Sequence, residues 1–147
     1  MHPPEPREAK LAAKAWAAGE YDVGRTFYRK AIELAKTNAG TLPPSFYLSE
    51  WARMEGTISN RDAFESLSRE ALALEPNAPL LHLVYARELW TEFKDQAACL
   101  SAIAVLEELL ASDRWDRSID LSPLAYSQKI ETLRAWVHGK QGGPLWP

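Results

Sequence analysis

The chain has 147 residues, of which 46% are hydrophobic and 25% are charged, a balance that excludes wholesale disorder. Its net charge of −3 argues against direct binding to nucleic acid or to an anionic membrane, and its single cysteine excludes an intrachain disulfide. Neither a signal peptide nor a run approaching the ~20 apolar residues of a membrane span is visible in the sequence, so we expect a cytoplasmic protein.

The spacing of apolar residues predicts seven helices and no strands. Runs with apolar residues at intervals of three and four are separated by sparse glycines and prolines, and alternating β-branched stretches are absent from the sequence. The predicted helices cover residues 6–18, 22–36, 44–55, 60–75, 79–90, 94–112 and 122–138. Asp22, Asn60 and Ser122 are expected to cap the second, fourth and seventh helices, and Gly139 is expected to end the seventh.

Short connections between consecutive helices predict three antiparallel hairpins, over residues 6–37, 44–75 and 79–112. The sixth helix is apolar over much of its surface and is expected to be buried on more than one side. The seventh helix, 122–138, is expected to cover it through Leu124, Ile130, Leu133 and Val137. These elements are interpreted as one domain spanning 6–138, with flexible ends at 1–5 and 139–147.

Three alanines mark an internal repeat, since Ala12, Ala52 and Ala86 occupy the same place in the first helix of each hairpin, at spacings of 40 and 34. The motifs of the first repeat are Leu11-Ala12, Gly19-x-Tyr21, Gly24, Tyr28 and Ala31-Ile-x-Leu34. Those of the second are Trp51-Ala52, Ala71-Leu-x-Leu74 and Glu75-Pro76-Asn77, and those of the third are Tyr85-Ala86, Ala98, Ala102 and Val105. This pattern resembles the tetratricopeptide repeat, a 34-residue helix-turn-helix unit, and the segments 51–55 and 85–89 resemble the half-a-TPR variant of RNA-processing proteins. The resemblance implies an all-α right-handed superhelix of three hairpins plus a C-terminal capping helix. It also implies that the three alanines are almost fully buried.

The same resemblance implies a partner-binding groove lined by the first helix of each hairpin. The groove residues that it predicts are Trp16, Phe46, Glu50, Arg53, Arg87 and Trp90. Aromatic residues and arginine are enriched at binding hot spots, and arginine suits an acidic partner group. The alternative interpretation is that the tryptophans belong to the core and that both arginines pair with Glu50, Glu55 or Glu88. The lysine-asparagine clamp of some family members is missing, because its positions hold Ala9, Ala13 and Ser49.

Constellations for catalysis are not found in the sequence. The three histidines, His2, His82 and His138, lie far from Cys99 along the chain, and no metal-ligand spacing or glycine-rich phosphate loop occurs. Cys99 lies in an apolar helix and is interpreted as a buried structural thiol. We therefore expect no enzymatic activity, no catalytic residue, no metal and no cofactor.

The favoured hypothesis is a protein-protein interaction module, an adaptor or scaffold that holds a peptide or helix in its groove. An alternative is a self-assembly module that forms a homo-oligomer through Trp115 and Trp136. A small helical enzyme or ligand-binding bundle is a further alternative. The apolar segment 144–147, Pro-Leu-Trp-Pro, is a candidate groove ligand in its own right.

Overall fold

The computed structural model describes residues 5–37, 42–112, 114–115 and 122–139. Within these residues the fold is all-α, with seven helices and no strand. The helices are α1 (Glu5–Ala17), α2 (Tyr21–Thr37), α3 (Pro44–Thr57), α4 (Arg61–Leu74), α5 (Pro79–Thr91), α6 (Gln96–Ala111) and α7 (Pro123–Val137). The seven predicted helices are confirmed, with no end displaced by more than two residues. Residues 1–4 and the predicted tail 140–147, including the candidate ligand segment, lie outside the described residues.

The chain divides into two compact units, Met1–Glu75 and Pro76–Pro147. The first unit contains α1–α4 and the second contains α5–α7. In each unit the most extensive packing is between the two helices of a hairpin, α1 with α2, α3 with α4 and α5 with α6. In the first unit α3 also packs against α2 and, less extensively, against α1. This packing places α3 in the middle of the first unit.

Helix starts follow the predicted capping chemistry at two of three positions. The side chains of Asn60 and Ser122 accept hydrogen bonds from the backbone N–H three residues later, at 3.4 and 3.2 Å. The third prediction is wrong, because α2 begins at Tyr21 and Asp22 lies inside its first turn. Asp22 there accepts a hydrogen bond from Arg25 at 2.8 Å.

The turn between α1 and α2 recurs in the next hairpin. The N–H of Gly19 donates to the carbonyl of Trp16 at 3.0 Å, and the N–H of Glu20 donates to the carbonyl of Ala15 at 2.8 Å. This pair of bonds is a Schellman motif, and it requires a left-handed residue, here Gly19 with φ 78°. The same two bonds occur 40 residues later, from Ser59 to Gly56 and from Asn60 to Glu55. In this second turn Ser59, with φ 61°, is the left-handed residue. The spacing of the first two predicted repeats is therefore a structural repeat.

The turn between α5 and α6 is a longer version of the same design. Lys94 takes the left-handed place with φ 50°, and the N–H of Asp95 donates to the carbonyl of Leu89 at 3.0 Å, across one more residue than in the first two turns. Because Lys94 cannot be helical at this φ, α6 is capped by Asp95 and begins later than the predicted residue 94. The side chain of Asp95 accepts a hydrogen bond from the N–H of Ala98 at 3.0 Å.

The three repeat alanines are buried as predicted. Ala12, Ala52 and Ala86 are exposed by 0%, 1% and 0% respectively. Small residues at these places let the two helices of a hairpin approach closely. Gly24 serves the same purpose on α2, because a Cβ there would lie 2.9 Å from the indole carbon Cε3 of Trp16.

The seventh helix covers the second unit through three of its four predicted residues. Ile130, Leu133 and Val137 are buried, and α7 packs against α5 and α6. The prediction for Leu124 is wrong, because this residue in the first turn of α7 is 67% exposed. The prediction that α6 is buried on more than one side is also wrong for the face carrying Val105, which is exposed together with its neighbour Ala104.

Candidate functional site

Three of the predicted groove residues lie together on one stripe of α3. Phe46, Glu50 and Arg53 are spaced by four and three residues, which places them on a single side of a helix, and all three are half-buried. The remaining sides of α3 are occupied by core packing, with Tyr47, Leu48, Trp51 and Ala52 buried. We call the stripe formed by Phe46, Glu50 and Arg53 the α3 face.

The two charges of the α3 face lack partners within the described part of the chain. Neither the Glu50 carboxylate nor the Arg53 guanidinium forms a hydrogen bond or an ion pair with another described residue. Burial raises the pKa of Glu50, and the nearby positive charge of Arg53 offsets this only in part. Half-buried charges without partners are costly, so this face can gain from a ligand that supplies the missing interactions.

A buried hydroxyl lies within electrostatic range of the α3 face. Tyr28 of α2 is fully buried, and its ring is stacked on that of Trp51, with centroids 6.0 Å apart and planes inclined by 9°. The hydroxyl has no hydrogen-bond partner among the described residues. Burial, followed by the charge of Glu50, raises the pKa of Tyr28 well above its ordinary value, while Arg53 acts in the opposite direction. These opposing effects show that Tyr28, Glu50 and Arg53 lie within electrostatic range of one another.

The sequence pattern identifies Tyr28 only as a repeat signature residue, and its relation to the α3 face was missed. One signal was available. A tyrosine among the apolar residues of a helix carries a hydroxyl that needs a partner when the ring is buried, which a phenylalanine would not. Such a position points to polar groups nearby.

The opposite side of α3 is held by a buried polar network centred on Glu55. This carboxylate is only 2% exposed and accepts two hydrogen bonds from Arg25, at 2.8 and 2.9 Å. The indole N–H of Trp51 donates to it at 2.9 Å, and the side-chain amide of Asn60 donates at 3.1 Å. The network links α2, α3 and the start of α4, and it fixes the ring of Trp51 on which Tyr28 is stacked. Its role is therefore to position the α3 face.

Trp16 belongs to the packing of the first unit. It is 4% exposed, its indole N–H donates to the hydroxyl of Thr57 at 3.2 Å, and its ring contacts that of Tyr21 at a centroid distance of 5.0 Å. The guanidinium of Arg25 lies 5.4 Å from the centroid of the Trp16 ring. The burial of Trp16 agrees with the alternative interpretation that this tryptophan belongs to the core, since little of its ring is accessible.

The other two predicted groove residues lie on α5 in the second unit. Arg87 is buried and donates two hydrogen bonds to the carboxylate of Glu88, at 3.0 and 2.8 Å, as the pairing alternative predicted. Trp90 is half-buried, and the ammonium of Lys94 lies 4.9 Å from its ring centroid. The indole nitrogen of Trp90 is buried without a hydrogen-bond partner among the described residues.

The two tryptophans of the self-assembly alternative differ in exposure. Trp115 is buried and packs edge-on against Tyr126, with centroids 6.0 Å apart, and Trp136 is half-buried. A cavity of about 380 Å³ between α6 and α7 is bordered by the ion pair of Glu107 with Arg134. That pair joins α7 to α6 across the cavity.

The thiol of the second unit is buried, and one of its histidines is hydrogen-bonded to the backbone. Cys99 is buried, and burial raises the pKa of its thiol to about 11, so the nucleophilic thiolate is scarce at neutral pH. A ring nitrogen of His82 lies 2.8 Å from the carbonyl oxygen of Pro76, in the connection that precedes α5.

The described part of the chain contains no candidate metal cluster and no candidate membrane span. No group of three or more His, Cys, Asp or Glu side chains there is placed to hold a metal ion. None of the described helices combines the length and hydropathy needed to cross a bilayer. Comparison with known proteins finds no matching family, no matching curated protein and no matching solved structure.

Proposed function

We propose that this protein is a protein-binding module, an adaptor or scaffold, that holds a peptide or helix against the α3 face. The observation that carries the proposal is the pair of opposite, half-buried charges on Glu50 and Arg53, which lack partners among the described residues. Phe46 adds an aromatic surface one turn away on the same stripe. Aromatic and arginine side chains are enriched among the residues that contribute most at protein interfaces.

The proposal includes the tetratricopeptide-like architecture, a right-handed superhelix of hairpins with a capping helix. Its support is the recurrence of the first hairpin turn 40 residues later and the burial of the repeat alanines. In a stack of hairpins the first helices line one surface, and α3 is such a helix. A ligand along this surface would contact the α3 face.

Selection from a display library of short random peptides tests the proposed function. The wild-type protein is the bait, and the double variant Glu50→Gln/Arg53→Gln is the counter-selection bait. We expect enriched peptides to shift the backbone amide NMR signals of α3 and to bind the double variant at least about tenfold more weakly.

The matched control is Glu33→Gln/Lys36→Gln, which removes an exposed ion pair of the same unit on α2. Peptides should bind this control as they bind the wild type. A selection that yields no peptide shifting the α3 signals, or peptides that bind both double variants equally, would contradict the proposed function.

A further inference from the structure

The order of chemical groups along the α3 face restricts what can bind there. From the N-terminal end the face presents an aromatic ring at Phe46, a carboxylate at Glu50 and a guanidinium at Arg53. With a rise of about 1.5 Å per residue, the first two positions are separated by about 6 Å and the last two by about 4.5 Å along the axis. Few ligands match both intervals and both charges.

We propose that the α3 face selects a helical segment that carries an apolar, a basic and an acidic residue on one stripe, in an order complementary to Phe46, Glu50 and Arg53. This inference rests on the proposed function and specifies the class of partner. A partner helix with residues at j, j+4 and j+7 reproduces the same axial intervals, whereas side chains on one side of an extended strand recur about every 7 Å. The basic residue meets Glu50 and the acidic residue meets Arg53.

Charge complementarity is the reason that the partner must carry both signs. A purely acidic segment would satisfy Arg53 and place a like charge against Glu50, and a purely basic segment would do the reverse. Glu50 forms no ion pair with a described residue, and the charge of Arg53 acts on it only at longer range. A basic group of the partner therefore adds a contact that the free protein does not have.

The hydroxyl of Tyr28 strengthens the case for a site at Glu50. It is fully buried without a described partner, and the Glu50 charge contributes to raising its pKa. A buried donor left without an acceptor costs free energy in the unbound protein. The unbound first unit therefore carries an unmet hydrogen-bonding group within electrostatic range of Glu50.

Three helical peptides of alanine and glutamine test the inference. The first carries Leu, Lys and Glu at j, j+4 and j+7, the second has Lys and Glu exchanged, and the third has glutamine at both charged positions. Binding is followed through the α3 amide NMR signals, which detect millimolar affinities. We expect the wild-type protein to prefer the first peptide over the second by about tenfold, with the uncharged peptide between them.

The charge-exchanged variant Glu50→Arg/Arg53→Glu should reverse this preference and favour the second peptide by a similar factor. Circular dichroism and thermal melting show whether the variant retains the fold, and the neutral Glu50→Gln/Arg53→Gln variant should lose the preference altogether. Equal binding of the first two peptides by the wild type, or an unchanged preference in the exchanged variant, would overturn the inference. If library peptides shift the α3 signals while none of the three helical peptides does, the inference is wrong and the proposed function stands.

Discussion

Replacing the buried carboxylate of Glu55 by an amide, in Glu55→Gln, is expected to destabilise the first unit strongly. One carboxylate oxygen accepts from the Nη2 of Arg25 and from Asn60, and the other accepts from the Nε of Arg25 and from Trp51. The glutamine amide turns one of these acceptors into a donor. Whichever way it points, two donors lose their acceptor, and one of them belongs to the charged Arg25.

The size of the effect follows from the burial of the pair. Removing one partner of a fully buried ion pair costs about 3–5 kcal/mol. The side chain of Arg25 is 24% exposed, so water can replace part of the lost interaction, and we expect about 2–3 kcal/mol. For a unit of this size such a loss lowers the melting temperature by roughly 10–20 °C.

Thermal unfolding followed by circular dichroism at neutral pH measures this loss. The control is Glu33→Gln, which removes a carboxylate paired with Lys36 on the exposed side of α2 and should change stability by less than about 0.5 kcal/mol. If Glu55→Gln melts within a few degrees of the control, the network does not hold α3 in place and the reasoning is wrong.

The same variant should alter the acid sensitivity of the fold. Burial alone would raise the pKa of Glu55, but the hydrogen bonds from Arg25, Trp51 and Asn60 together lower it. In the unfolded chain the Glu55 carboxylate takes up its proton at about pH 4.3, whereas in the folded chain it does so only at a lower pH. The stabilisation by the ionised carboxylate is therefore fully present above about pH 4.3 and is lost as the pH falls through the folded pKa. The stability gap between the parent and Glu55→Gln should therefore narrow in acid. A gap that is equally wide at neutral pH and at about pH 3 would contradict this linkage.

Three further predictions concern single sites. Gly24→Ala should lower the free energy of unfolding by about 1–3 kcal/mol, because the added methyl group meets the buried ring of Trp16. The control Val23→Ala, on the exposed side of the same helix, should be nearly neutral, and equal melting of the two variants would refute the close contact. Ser59→Gly should raise the free energy of unfolding by about 0.5 kcal/mol, because relief of the left-handed strain exceeds the entropy that glycine adds to the unfolded chain. Ser59→Ala should give no such gain, and a glycine variant less stable than the parent would refute the prediction. The thiol of Cys99 should resist iodoacetamide in the folded protein near pH 8 and react after unfolding in urea, and rapid labelling of the native chain would show that it is accessible.

Local features of the fold were predictable from the sequence because they depend on neighbouring residues. The caps at Asn60 and Ser122 follow from residue type, and the turn at Gly19 recurs at the predicted spacing although Ser59 takes the place of the glycine. The exposure of Leu124 and Val105 was not predictable, since an apolar side chain is buried only where another element covers it. The periodicity of a sequence predicts which side of a helix is apolar, but it does not predict which other element packs against that side.

The candidate site was predictable in part for the same reason. Helical spacing places Phe46, Glu50 and Arg53 on one stripe, and the structure reports them half-buried there. The burial of Trp16 depends on the close approach of Gly24 and on the hydroxyl of Thr57, 41 residues away. These contacts arise from tertiary packing and are not encoded in the spacing of residues along one helix. The hydrogen bond from Arg25 to Glu55 joins residues that are 30 positions apart on two helices, so no local sequence pattern predicts it.

The hairpin turns also bear on how quickly the chain folds. Each hairpin is closed by backbone bonds that reach only five or six residues along the chain, and the helices joined in this way make the most extensive contacts in their unit. The search for such contacts is short, because little loop entropy is lost before they form. Each hairpin can therefore serve as a nucleus to which the neighbouring helices of the same unit add.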